Sequence, residues 1–158
     1  MTAKGELTIM EKYMRLESDS IGTMEVPEDA YYGVQALRAK ENFPITGTPV
    51  HPVFIKNLAK IKRAAAITNR KAGKLKPEIS YAIESACNDV ICGMFEKEFI
   101  VDGIQGGAGT SANMNMNEVI ANRAIEMLCG KKGDYSIVHP NDHVNMAQST
   151  NDVIPTAG

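Results

Sequence analysis

The chain has 158 residues, with 17 Lys and Arg against 19 Asp and Glu and a net charge of −2. That length is a prior for one domain, and that balance argues against a strongly basic nucleic-acid binder and against an acidic disordered tail. Hydrophobic residues are 44%, Trp is absent and there are nine Met, so a core is affordable and is expected to be aliphatic and Met-filled, which suits packed helices.

Residues 1–14 read as an N-terminal extension, mixing charges with single apolar residues. A short extended segment follows from Arg15 to Val26, turning at Gly22, and Pro27 with Glu28 and Asp29 has the composition of a helical turn. Val34, Leu37 and Arg38 are at helical spacing in a segment that Phe43-Pro44 should end, because the residue before Pro avoids the α region. The clearest helix spans 53–72, with Phe54, Leu58, Ile61 and Ala65 in one apolar stripe and Gly73 as its cap. A second is predicted over 77–95, opened by Pro77 and buried along Ile79, Ile83, Ala86, Val90 and Met94. A third, 110–129, follows a glycine-rich loop, is capped by Thr110 and closed by Gly130 and Gly133, with Glu118, Arg123 and Glu126 on its wet side. The last helix starts near Thr150. The fold class is therefore mainly α with a small β element near the N-terminus. A helix that begins about eight residues before the last residue suggests a piece of a longer protein.

Between Asn42 and Pro77 there is no acid, yet eight bases occur: Lys56, Lys60, Lys62, Arg63, Arg70, Lys71, Lys74 and Lys76. The following helix is acidic, so these bases read as a solvated face beside an acidic neighbour rather than a nucleic-acid site. Three Cys (Cys87, Cys92, Cys129) form no Cys-x-x-Cys pair and fit reduced thiols of the cytoplasm. No apolar run approaches the roughly 18 residues that cross a bilayer, and no signal peptide opens the sequence.

Three segments carry chemistry. Gly107-Ala-Gly109-Thr-Ser-Ala112 matches G-x-G-x-x-A, but no long apolar strand precedes it and no Lys-Ser/Thr follows, so a nucleotide-binding helical module is the weaker reading. What the loop does offer is free backbone N–H groups, a positive helix end and the Thr110 and Ser111 hydroxyls, a setting for a small carboxylate. Asn113, Asn115 and Asn117 open the helix behind it; Asn is a poor interior helix former, so these amides are expected to be held inside the molecule with partners. Finally, His139-Pro-Asn-Asp-His143 leads into Gln148-Ser-Thr-Asn151, four donor-capable side chains at a helix start. His139 and His143 have the i, i+4 spacing of metal ligands, but Pro140 and Asn141-Asp142 favour a turn there, and no metal is assigned.

The stretch Gly106–Arg123, the stretch His139–Asp152 with Pro155-Thr, and Asp19–Gln35 with Leu37-Arg-Ala and Glu41–Ile45 resemble, in this order, segments of the aspartase/fumarase superfamily. Tyr31-Tyr32-Gly33 and Gly107-Ala-Gly-Thr-Ser111 are in the style of its aspartate ammonia-lyase branch; class II fumarases are the alternative. The similarity runs from about Arg15 to Gly158. It implies an N-terminal helical domain over 15–148, with 149–158 beginning a central helical domain. It implies a carbon–nitrogen lyase converting L-aspartate to fumarate and ammonium, in which Thr110, Ser149, Thr150, Asn151 and Arg38 bind the dicarboxylate. His139, Asn141 and Asp142 resemble a secondary anion site of fumarases. The resemblance further implies no organic cofactor, a homotetramer whose sites combine three subunits, and a catalytic Ser on a Gly-Ser-Ser-x-Met-Pro-x-Lys-x-Asn loop. That loop has no match in these residues, so the 158 residues by themselves are expected to be inactive. Whether Mg²⁺ activates the parent enzyme stays open.

Overall fold

The computed structural model describes residues 13–158. The expected extension therefore lies outside the described residues up to residue 12, while Met14 already pairs in a strand. β1 (Met14–Ser18) and β2 (Thr23–Pro27) form an antiparallel hairpin with Ser18 opposite Thr23. Its turn is built by Asp19, whose Oδ1 accepts the Ile21 and Gly22 N–H groups, an Asx turn. Pro27 ends β2 and starts a single turn over Glu28 and Asp29, the Ala30 N–H returning to its carbonyl at 3.1 Å, with no helix built on it.

Five α-helices follow: α1 (Val34–Asn42), α2 (Pro52–Lys71), α3 (Pro77–Ile91), α4 (Thr110–Met127) and α5 (Thr150–Ala157). Pro52 and Pro77 occupy first-turn positions, where the missing N–H costs nothing. After α2, Gly73 adopts φ +69° and its N–H returns to the Arg70 carbonyl, a left-handed C-terminal cap. The buried face of α2 is Ile55, Leu58, Ala59, Lys62, Ala66 and Asn69. Phe54, Ile61 and Ala65 are half-buried at its flank, so the face is rotated from the expected stripe and contains two polar residues. α3 stops at Ile91, short of the predicted 95, and Met94 is 46% exposed. α4 ends at Met127, and Cys129, not a glycine, takes the left-handed backbone at φ 60°.

α2 and α3 form a helical hairpin, and α4 lies against α1, α2, α3 and α5. Thirteen of the 18 residues of α4 are buried. A helix enclosed on all sides loses its amphipathic stripe, which places Asn113, Asn115, Asn117 and Asn122 inside, as expected for the first three, and Glu118 as well, against the expectation of a wet side. Two of these amides staple irregular chain. Asn115 accepts the Ile100 N–H and donates to the Glu98 carbonyl. Asn122 donates to the Tyr31 carbonyl and accepts the Gly133 N–H. Segments without regular hydrogen bonds find their partners in this way.

Candidate functional site

The N-termini of α4 and α5 meet. α4 is capped not by Thr110 but by Gly109, at φ +88° and without a side-chain bond. A Cβ at Gly109 would lie 2.8 Å from Ile154 of α5, so glycine supplies both the backbone conformation and the close approach of the two helices. Gln105 Oε1 accepts the Ala112 N–H at 3.0 Å. The Thr110 and Ser111 N–H groups have no acceptor among the described residues. They lie at the positive end of the α4 dipole. Thr110 is exposed there.

α5 starts as expected at Thr150. Ser149 is its N-cap, Oγ accepting the Asn151 N–H at 3.2 Å. Ser149 and Asn151 are exposed and Thr150 is half-buried. Thr150 Oγ1 accepts from Asn113 Nδ2 at 3.2 Å, and the same nitrogen donates to Asn145 Oδ1 at 3.2 Å. Asn145 Oδ1 also accepts from Lys62 Nζ at 2.7 Å. Lys62, read from the sequence as part of a solvated face, is completely buried. Burial pushes its ammonium down to about 7. Asn113 Oδ1, Asn117 Oδ1 and Gln148 Oε1 are buried without a hydrogen-bond partner among the described residues. Behind the exposed donors thus lies a buried polar network drawn from α2, α4, α5 and the turn before α5.

A cleft of about 450 Å³, reaching the α4 N-terminus at Ser111, is lined by Asp19, Gln35, Arg38, His139 and Asn141, among others. Its lining includes neither Thr110 nor Ser149, Thr150 or Asn151. Arg38 is held in a two-pronged pair with Asp19, at 3.0 Å for each contact. The expected substrate ligand Arg38 thus shares a cleft with Ser111 of the α4 N-terminus and with His139 and Asn141 of the expected secondary anion site. Pro140–Val144 is a single π-type turn. His139 Nδ1 accepts the Asn141 and Asp142 N–H groups, and His143 Nδ1 accepts the His139 N–H at 2.8 Å. Both rings spend Nδ1 on the turn's own backbone. Asp142 is exposed. Among the described residues there is no group of three or more His, Cys, Asp or Glu suited to a metal.

The N-terminus of α1 is sealed from within. Glu118 accepts the Gly33, Gln35 and Ala36 N–H groups at 2.9 to 3.0 Å, and Glu17 accepts that of Val34. Burial raises Glu118 to about 7 against the pull of those N–H groups, and the Glu17 carboxylate adds to the rise. Gly33 is required by the crowding: a Cβ would lie 2.7 Å from Glu17 and 2.8 Å from Glu118.

The profile of the family described as "Lyase" matches residues 22–158. The chain belongs to this lyase family. An aspartate ammonia-lyase of a Bacillus species is 56% identical over 144 residues, covering 91% of this chain and 31% of that protein. A class II fumarate hydratase of Halobacterium salinarum is 53% identical, over 94% of this chain and 31% of that one. The crystal structure of a fumarate lyase:delta crystallin from Brucella melitensis superposes with TM-score 0.90 at 52% identity, over 92% of this chain and 34% of that chain. The chain spans about a third of the length of the curated relatives it matches. The aspartase/fumarase resemblance and the mainly α fold hold in these relatives and neighbours.

Within the lyase family's frame, sequence reasoning missed Lys62, Asn145 and Glu17. Lys62 carried a signal: it falls three residues after Ala59 and four after Leu58 in an apolar series continued by Ala66, the phase of a buried face. Asn145 lay in a polar loop where nothing marked it off.

Proposed function

We propose that this chain supplies carboxylate-binding donors to the site of a carbon–nitrogen lyase that converts L-aspartate to fumarate and ammonium. The observation that carries this reading is the meeting of two helix N-termini, α4 and α5, with Thr110, Ser149, Thr150 and Asn151 at their open ends. In the reaction a base removes a proton from the carbon next to a carboxylate. The electron pair moves into that carboxylate, then forms the carbon–carbon double bond as the carbon–nitrogen bond breaks. Charge builds on the carboxylate oxygens, where fixed donors lower the barrier most. Two helix dipoles and hydroxyls at their mouths are arranged for that charge.

No described acid is paired with these donors in a way that makes it the base, so residues 1–158 alone should give no turnover. In the whole enzyme the site combines three subunits of a homotetramer in the cytoplasm; exposed, unpaired Cys92 and Cys129 suit that reducing compartment. No helix among the described residues is long and apolar enough to cross a membrane. Residues 15–148 form the N-terminal lyase domain and 149–158 open the next. His139, Asn141 and Asp142 form a secondary anion site; His139 and Asn141 share a cleft with the substrate ligand Arg38, and Asp142 is outside its lining. Fumarase activity is the alternative within the family, given the Halobacterium relative. The deciding experiment follows fumarate absorbance with aspartate and with malate as substrates in the whole enzyme. Turnover of aspartate with none of malate supports the proposal, and the reverse replaces it with the fumarase reading.

A further inference from the structure

We propose that Lys62 is a positioning residue: through Asn145 and Asn113 it sets the direction of hydrogen bonding at Thr150, so that the Thr150 hydroxyl proton stays free for a bound carboxylate. This rests on the carboxylate-binding role proposed for Thr150.

The argument is one of donor and acceptor counting. A lysine ammonium has three N–H donors and no acceptor. Below about pH 7, where Lys62 carries its charge, the Asn145 atom 2.7 Å from its Nζ is therefore Oδ1. The opposite end of Asn145 gives an independent check, because Nδ2 faces the Gln148 backbone carbonyl at 3.1 Å, which can only accept. With Asn145 so oriented, the Asn113 atom that meets its oxygen must be Nδ2, at 3.2 Å. That nitrogen also reaches Thr150 Oγ1 at 3.2 Å. Thr150 is thereby made the acceptor on its inner side, and its single O–H is directed elsewhere. With the Asn113 amide reversed, its oxygen would draw the Thr150 proton inward and turn hydroxyl lone pairs toward a substrate anion.

Two further observations fit a lysine kept for this purpose. Lys62 is fully buried, and no carboxylate lies within ion-pair distance of it among the described residues. A buried charge is costly unless it is well used, and here its nearest described use is the amide pair. Asn113 Oδ1 is buried without a partner, which is the cost of holding the amide in this orientation rather than its reverse.

A double-mutant cycle on aspartate turnover in the purified whole enzyme tests this. Lys62→Met keeps the length and apolar stem but removes the donors. We expect Lys62→Met to lower kcat/KM about tenfold or more, and Thr150→Val to cost far less in the Lys62→Met background than in the wild type. Losses that simply multiply would overturn the proposal. Lys62→Arg, also donor-only, should recover at least part of the rate if it folds. If Lys62→Met does not fold, Asn145→Leu takes its place in the cycle with the same expectations. A second readout is independent of catalysis: side-chain amide NMR of Asn113 should show its Nδ2 protons moving when Lys62 is replaced, and an unmoved Asn113 resonance would also overturn the proposal. Absence of turnover by the wild type would instead refute the lyase reading, while the Asn113 resonance still decides the role of Lys62.

Discussion

At the N-terminus of α1, backbone N–H groups are taken up by the protein's own acids, Glu118 and Glu17; at the N-termini of α4 and α5 only the neutral Gln105 and Ser149 side chains accept, from Ala112 and Asn151, and the Thr110 and Ser111 N–H groups have no acceptor among the described residues. All three ends carry the same partial positive charge. The difference is who supplies the oxygen. At α1 a buried carboxylate arrives from the middle of α4, and Gly33 removes any side chain that would keep it away. At α4 and α5 the capping positions are Gly109 and Ser149, and among the described residues no carboxylate accepts from their first-turn N–H groups, the exposed Asp152 of α5 included. The sealed end shows what a carboxylate receives at a helix start, three N–H bonds at 2.9 to 3.0 Å, and so indicates what the open ends can give a substrate.

The comparison can be broken most sharply at the open ends. Thr110→Val and Thr150→Val in the whole enzyme should each lower kcat by about 10² to 10³, the loss of a transition-state donor, with melting temperature little changed. A variant with near-native turnover removes that threonine from the site. Glu118→Leu should do the reverse. It leaves two buried N–H groups, of Gly33 and Ala36, and the part-buried one of Gln35 unpaired, at about 1–3 kcal/mol for each buried one, so a loss of about 2 kcal/mol or more is expected in urea unfolding. An unchanged midpoint would show that α1 does not depend on this seal.

A pH series sharpens the contrast further. Glu118 is raised from 4.5 to about 7, so the folded state holds its proton where the unfolded state has released it. Its stabilising contribution is complete below about pH 4.5 and is lost as pH rises through 7. Relative to Glu118→Gln, the wild type should therefore lose stability across that window; parallel curves would count against the shift. The smallest effect is expected at Ser149→Ala, about 1 kcal/mol for a lost N-cap, read from thermal unfolding. No measurable loss would mean that the Asn151 N–H is satisfied equally well without the serine.

The sequence by itself determined where most helices begin and what the exposed donors are. Pro52, Pro77, Phe43-Pro44 and Gly73 act through local sterics, and a helix start rich in Ser, Thr and Asn announces itself within five residues. The aspartase/fumarase resemblance was legible for the same reason, as several motifs in order. What only the tertiary structure decided is the use of groups whose partners lie far along the chain. Glu118 sits 82 to 85 residues from the N–H groups it accepts, and Lys62 sits 83 from Asn145. A charged residue on a helix is solvated or buried according to which element packs over it. Here enclosure of α4 and the turn before α5 took Glu118 and Lys62 out of water, and folding brought Arg38, Ser111, His139 and Asn141 to one cleft. Periodicity reports that a face is buried, but which polar atoms meet inside it depends on the rotation and contact of helices that only the folded chain sets.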